Sequence, residues 1–581
     1  MKEEGSINVT AKSLLSKKAL KIIICVIFIA IFLLGMIVAD DYNIFVDDQA
    51  QRNHSLVNYK YINKVILGRD VPELVHFQDL NDYICKNYGT AIQMPMVFIE
   101  DLFDFEPPFN IWVMRHRINF IIYFCGLICF YFLCRRLFSP IVNDEKKLSL
   151  VSLAGVLMMF LFPRFFSASF FNIKDLVFSS LFIISLHFMI MFLKNGRKTT
   201  TTIIFCILCA LATNSRMVGL LLIPSVLVFM LIEDIAARKK EYATIMDADS
   251  SVWPKTKILN KFRPYILILI VFSFVFFAIT PAMWEDPINQ FSLMLQRTID
   301  FDLWDNVMLF DGSYITRDEM PWYYLPVWMF ITIPVYILFF WVIGMFDLVK
   351  RTIHGGTEEF LKQRFYWLIL LLLIIPVSFQ MIGMVRIYID WHHVYFLFVP
   401  IQLLAVYGAI RLNDIIQKKS SLRLVQTIVP LIVVAGLVVS GARIVWNHPH
   451  QEAMFNAIGT PFGNSFDHSA PNSVYITIAR YLLDNYPEGE IHIISRPALE
   501  DALRIVGGSA DDIERIHILN PEEKNLEQAD FYLRNYRPEG LFTYELPPSF
   551  TETYTIWVDR TIRVASLFAN NDSPLHGGNR Q

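Results

Sequence analysis

The sequence predicts a polytopic α-helical membrane protein, with about eleven transmembrane helices and a small C-terminal extracytoplasmic α/β domain. Three observations predict it. Of 581 residues 54% are hydrophobic and only 18% charged, far from the balance of a soluble chain. The apolar residues fall in separate runs, each near the roughly 20 residues that cross a bilayer. After Val445 the runs shorten and turn residues appear.

Spans are expected at Ile22–Ala39, Ile118–Leu137, Leu148–Phe162, Leu176–Leu193, Thr201–Ala212, Met217–Ile232, Tyr265–Ala282, Tyr324–Val349, Phe365–Met384, Val394–Ile410 and Leu424–Val445. The 49 Phe, 24 Tyr and 11 Trp suit lipid-facing helices and interfacial belts. The N-terminal arm, residues 1–21, carries Lys12, Lys17, Lys18 and Lys21. Alternate loops carry further Lys and Arg: Arg135, Arg136, Lys146, Lys147; Lys194, Arg197, Lys198; the 238–263 segment; Lys350, Arg351, Lys362, Arg364; and Arg411 to Arg423. The positive-inside rule makes these cytoplasmic and everything after Val445 extracytoplasmic. Alternation requires Thr201–Ala212, although short, to count as a span. The first run lacks a small-residue cleavage site and reads as a retained signal-anchor.

The opposite face gathers the unusual residues. It receives "ADDYNIFVDD" after the first span, "EDLFDFEPPFN", "PRFFSASFFNIKD", "TNSR", "WEDP" and "RIYIDWHH". A transporter keeps its functional charges near the midplane, where these spans have few. Six of the seven cysteines lie in apolar runs, against a disulfide framework. Zinc-type Cys/His spacing and a basic nucleic-acid-binding domain are both missing from the sequence; no cofactor is expected, and a divalent metal is compatible with the sequence but not indicated by it.

Chemistry at an outer membrane face draws on substrates activated on a lipid carrier. Transfer from a lipid-linked phosphate needs a carboxylate to take the acceptor's proton, and cations for the charge growing on the departing phosphate. Asp47 and Asp48 are the candidate acids. Arg386, Arg164, Arg216 and Lys174 are the candidate cations. Several of these, and the neighbouring histidines, have an ordinary structural role open to them. Aspartates after a span are solvated charge, Arg164 snorkels to the interface, Lys174–Asp175 starts a helix, and His392–His393 beside Trp391 is an interfacial cluster. Asp40 and Asp41 abut the first span and read as its solvated end.

The chain resembles the GT-C class of polytopic glycosyltransferases, on the branch of protein O-mannosyltransferases and the bacterial aminoarabinose transferase of lipid A. The resemblance rests on Asp47-Asp48 at the place of an acidic first-loop motif, usually Asp-Glu, and on "MRHRINFIIYFCGL", "PRFFSASFFNIKD", "PWYYLPVWMFITIP", "YIDWHHVYFLFVP" and "HPHQEAMFNAIG". His392 stands where Arg is usual. The resemblance implies inverting transfer from a polyprenyl-phosphate-linked sugar to a glycan, lipid or protein acceptor, in the bacterial cytoplasmic (inner) membrane, with Asp47 as general base. It also implies substrate contacts from His116, Asp175, Trp391, His392 and His393. A flippase for a lipid-linked sugar and a non-catalytic scaffold for envelope assembly are the alternatives.

The transmembrane domain spans 22–445, with a long loop over 40–117 that needs helices of its own. Leu56–Leu67 reads as an amphipathic interfacial helix. The α/β domain spans 446–568, large enough at roughly 130 residues for its own core. Helices are expected at Ser473–Tyr486 and Pro497–Gly507. Strands are expected at Glu490–Ser495, at Ala529–Arg537 and across Thr553–Phe568, the last with a turn at Asp559-Arg560. It carries no phosphate-cradling glycine motif and reads as a recognition module. Residues 569–581 read as a disordered tail.

Overall fold

The computed structural model describes residues 16–44, 46–105, 109–245, 255–299, 307–383, 385–467, 471–520, 522–536 and 545–577. Lys12, the side chains of the basic 238–261 segment and residues 578–581 lie outside them.

The helices run α1 (Lys17–Val38), α2 (Val46–Ile62), α3 (Met94–Phe103), α4 (Phe109–Phe138), α5 (Glu145–Phe160), α6 (Pro163–Phe171), α7 (Asp175–Lys194), α8 (Thr199–Ser215), α9 (Leu222–Ile245), α10 (Lys255–Ala278) and α11 (Pro287–Ile299). A short hairpin, β1 (Met308–Phe310) and β2 (Ser313–Ile315), follows. Then come α12 (Tyr324–Thr332), α13 (Val335–Lys362), α14 (Arg364–Met381), α15 (Phe398–Lys419), the one-turn α16 (Arg423–Gln426) and α17 (Ile428–Trp446). Among the described residues seven helices are long and apolar enough to cross a membrane, or up to nine if two bent pairs each count once; Thr199–Ser215 and Phe262–Ala278 are shorter apolar helices. The chain is a multi-pass membrane protein.

The expected single span over Tyr324–Val349 is instead two helices bent by 119°. Pro334 explains the break. It forces Ile333 into extended backbone, with φ −69° and ψ 133°, and cannot donate to the helix before it. A smaller bend, 67°, separates α5 from α6, which starts at Pro163. The reading of Asp47 and Asp48 as loop residues also changes. The amphipathic helix begins at Val46, ten residues before Leu56, so both aspartates occupy its first turn, where carboxylates complement the helix dipole. Its far end exposes Val65, Ile66 and Leu67, as an interfacial helix would.

The bundle has two chemically distinct ends. At one, basic loops are cross-linked by charge. Lys194 donates to the Arg136 carbonyl, Arg197 pairs with Glu233 and Asp234, Arg364 with Glu233, Lys147 with Asp414, and Arg411 with Asp347. α4 and α7 run from there to the other end, where Arg117 binds Asp40 and Asp175 begins α7. Between the ends, α13 and α15 cross at reciprocal glycines. A Cβ on Gly344 would lie 2.3 Å from the Leu404 carbonyl, and one on Gly408 2.0 Å from the Phe340 carbonyl. Only hydrogen at both positions lets the backbones touch, a packing device suited to lipid.

Beyond α17, α18 (Pro471–Asn485), β3 (Ile491–Ile494), α19 (Ala498–Ile505), α20 (Ala510–Arg515), β4 (Ile516–Leu519), β5 (Phe531–Asn535), β6 (Phe550–Val558) and β7 (Ile562–Asn570) build a five-stranded sheet in the order β4-β3-β5-β7-β6. β3 pairs parallel with β4 and β5. β7 pairs antiparallel with β5 and β6. The β6–β7 turn holds Asp559 and Arg560 at positive φ, 49° and 63°. The domain does not keep a wholly separate core. Its buried Ile491, Phe531 and Val564 join the bundle's apolar cluster, while Ile494, Leu526, Tyr532 and Phe550 form a small second cluster. Arg443 of α17 clamps Asp559, and Asn456 donates to the carbonyls of Phe330 and Ile333. Residues 570–577, expected within the disordered tail, finish β7 and form a last helical turn, with Ser573 bonded to Asp530.

Candidate active site

Four buried or half-buried segments meet at the end of the bundle away from the basic loops, three of them carrying charge. The first is the α6–α7 junction, "FNIKD". Asn172 Oδ1 accepts from the backbone N–H of Asp175 at 2.6 Å and of Lys174 and Leu176 at 3.3 Å each. That Asx cap stops α6, starts α7 and fixes Lys174 and Asp175 side by side. The second is "NSR" at the end of α8, where Arg216 pairs with Asp175. The third is the stretch before α15, "YIDWHH". Asp390 Oδ1 lies 2.5 Å from His392 Nδ1, and His392 Nε2 lies 3.9 Å from Asp175 Oδ2. The other Asp390 oxygen takes Arg164 Nη1 at 2.7 Å. Arg164, Asp390, His392, Asp175 and Arg216 therefore form one unbroken row of alternating charge.

The fourth segment closes over the row from the first long loop. The Lys174 ammonium lies 3.9 Å from the centre of the Tyr88 ring. Tyr88 packs on His54 of α2, ring centres 4.9 Å apart. Next to Tyr88, Gly89 lies against the backbone of Asn214, so close that a Cβ would be 1.6 Å from the Asn214 carbonyl oxygen. Asn214 in turn accepts from the Ala91 N–H at 2.9 Å. The TNSR turn thus serves both as a seat for the loop and as the source of Arg216.

Asp47, half-buried at the start of α2, acts electrostatically on Lys174, Tyr88, Tyr388 and His392. Burial and the neighbouring Arg216 pull the Lys174 ammonium down to about 7, with Asp47 and Asp175 opposing. Burial pushes the Tyr88 and Tyr388 phenols up, and both stay neutral. The assembled groups are a half-exposed carboxylate, a cation of tunable charge, a guanidinium held by one carboxylate and an aromatic wall.

Residues 108–246 match the family model of dolichyl-phosphate-mannose-protein mannosyltransferases, and that segment supplies Lys174, Asp175 and Arg216. That segment, about a quarter of the chain, is similar to this family of mannosyltransferases. Comparison with curated proteins finds no significant match. Among solved structures, the chain is similar to the archaeal oligosaccharyltransferase AglB from Archaeoglobus fulgidus in complex with an inhibitory peptide and a dolichol-phosphate. The identity is 11% and the TM-score 0.44, over 87% of this chain and 69% of that one. It is also similar to the Archaeoglobus fulgidus oligosaccharyltransferase in complex with Zn and sulfate, at 10% identity and a TM-score of 0.40, over 87% and 68% of the two chains.

The other sequence candidates divide by position. Asp48 is fully buried, its Oδ2 3.8 Å from His116 Nε2. His116 and the adjacent buried Arg115 belong to α4. Arg115 holds Glu100 at 2.6 Å, and Glu100 holds Arg52 of α2 at 2.9 Å. Asp48 and His116 thus face each other where α2 meets α4, and Glu100 ties Arg52 of α2 to Arg115 of α4. Arg164 does not snorkel. It is fully buried, bonded to Asp390 and the Met454 carbonyl, with its guanidinium over the Trp328 and Phe455 rings. Trp391 is core, its Nε1 donating to Thr332 Oγ1 at 3.0 Å. His393 packs 4.2 Å from the Tyr388 ring and joins the site. Arg386 pairs instead with Asp318 at the exposed surface. Asp40 and Asp41 are not merely solvated, since Arg117 holds the first and His448 and Arg480 the second. Sequence reasoning assigned no role to Tyr88, Tyr388 or Asp390. Asp390 and Tyr388 stood within the "YIDWHH" stretch, whereas Tyr88 gave no signal.

Proposed function

We propose that the protein transfers a sugar from a polyprenyl-phosphate donor to an acceptor hydroxyl at the extracytoplasmic face, with inversion. The observation that carries this reading is Asp47, a half-exposed carboxylate whose charge acts on Lys174 beside the Asp175–Arg216 pair. The donor phosphate lies against Lys174 and Arg216. Arg216 supports this with a buried Nε–H that lacks a hydrogen-bond partner among the described residues. Asp47 takes the proton of the acceptor hydroxyl. Its oxygen attacks the anomeric carbon, and the bond from that carbon to the phosphate oxygen breaks with its electron pair going to the phosphate. Polyprenyl phosphate leaves with one more negative charge, which the two cations neutralise in the transition state. Asp175, held by His392 through Asp390 and Arg164, keeps Arg216 aimed. Exposed apolar side chains such as Phe98, Leu102 and Phe103 on α3 offer a surface for the isoprenoid tail.

Purified protein in lipid nanodiscs, offered a panel of radiolabelled polyprenyl-phosphate sugars, tests the reading. At least one donor should release polyprenyl phosphate in step with labelled acceptor or, without acceptor, by slow hydrolysis. Movement of intact donor across vesicle membranes with no release for any member would instead make the protein a flippase.

A further inference from the structure

The C-terminal sheet holds a cluster that sugar transfer leaves unused. Glu490 directly precedes β3, which reads "IHII", and β4 reads "IHIL". The two strands are parallel and in register, with His492 opposite His517. Side chains alternate along a strand, so Glu490 shares the face of His492 two residues on. The result is a Glu-His-His set whose ligand atoms all lie within 4.8 Å of one another. The imidazoles stack with ring centres 4.8 Å apart, and His517 Nε2 lies 3.7 Å from Glu490 Oε2.

We propose that Glu490, His492 and His517 bind one borderline divalent transition-metal ion of the Zn2+ kind. Two imidazoles and one carboxylate are the donors such ions prefer, and Mg2+ or Ca2+ do not. The surroundings supply a second feature of built sites. Asp530 accepts from the His492 backbone N–H at 2.6 Å, and its Oδ2 lies 3.4 Å from His492 Nδ1. A carboxylate at that nitrogen fixes the ring and directs the other nitrogen outward, as outer carboxylates do around metal-bound histidines. β4 is the edge strand of the sheet, so the ion staples the edge to its neighbour β3. Three protein ligands on an accessible face leave coordination positions for water or for a carboxylate or phosphate of a partner.

Tag-free, full-length protein is stripped with chelator in detergent and titrated with Zn2+ by calorimetry. It is compared with His492→Gln/His517→Gln and with Glu490→Gln, whose side chain is largely exposed. The wild type should bind one more equivalent than the double variant, and Glu490→Gln should bind that equivalent at least tenfold more weakly. Zn2+ should raise the wild-type melting temperature more than that of the double variant, while the two melt alike in chelator. Equal stoichiometry in wild type and double variant, or an undiminished affinity in Glu490→Gln, would overturn the site.

Discussion

Lys174 is the residue of the proposed site whose charge depends most on its surroundings. An unfolded lysine keeps its proton to about 10.4, and in the native site it gives it up near about 7. The unfolded state therefore binds more protons between those values, and this residue adds stability as pH rises through that window. Donor binding runs the other way. A phosphate needs the ammonium, so affinity for polyprenyl phosphate should weaken as pH climbs above 7, with proton uptake on binding. Lys174→Arg, permanently charged, should bind with a flat profile between pH 7 and 9. Identical profiles in the two proteins would remove Lys174 from the phosphate. The two arginines that look alike in sequence separate here. Arg164→Ala leaves Asp390 buried without its guanidinium and should cost about 3–5 kcal/mol, read as a lower melting temperature and loss of monodisperse protein. Arg386→Ala removes an exposed pair, worth about 0–1 kcal/mol, and should leave both melting temperature and donor affinity unchanged. "PRFF" and "RIYID" each offered one arginine beside aromatics. Which one is buried depends on where Asp390 falls, and that is a tertiary fact no local pattern encodes.

Among the elements, those legible in the sequence were the ones whose apolar period stands alone. α7 and α17 occupy their expected runs, and the β6–β7 pair turns at Asp559-Arg560 because Asp tolerates left-handed backbone and the flanking residues alternate. Others were decided by contacts at a distance. α2 packs on α4 with Asp48 facing His116, and β4 is four residues long and forms on the edge of β3. α12 and α13 read as one apolar run although Pro334 divides them, since hydropathy is blind to direction. The α13–α15 crossing gives the sharpest test at this scale. Gly408→Val places methyl groups where a Cβ already lies 2.0 Å from a carbonyl oxygen, so the helices must part. Overpacking of this kind costs typically about 1–3 kcal/mol or more. The variant should melt earlier in detergent, whereas Gly441→Val, whose Cβ meets only ordinary contacts near 3.9 Å, should not.

At the scale of the whole molecule, the two ends of the bundle explain why the face that carries the candidate site was legible in the sequence. Charge on the loops sorted the face, and the segments named from that face, through Asp47, Glu100, Lys174, Arg216, Glu285 and His392, lie together away from the basic loops. The membership of the site within that face was not legible. Gly89 against Asn214 and the Asx cap at Asn172 set it through backbone contacts. The orientation this implies is testable. In a cysteine-free background, an impermeant thiol reagent added outside cells should label Glu488→Cys and leave Lys418→Cys untouched until the membrane is permeabilised. The reverse pattern would place the sugar-transfer site on the wrong side for a lipid-borne donor. The central claim remains the role of Asp47. Single-turnover transfer by Asp47→Asn, measured beside donor affinity in the same preparation, tests it most directly. Asn keeps the size and loses the basicity, so transfer should fall by about 10²–10⁴ with donor affinity and melting temperature near wild type. Transfer at the wild-type rate would contradict the account and return Asp47 to the first-turn carboxylate of an ordinary helix.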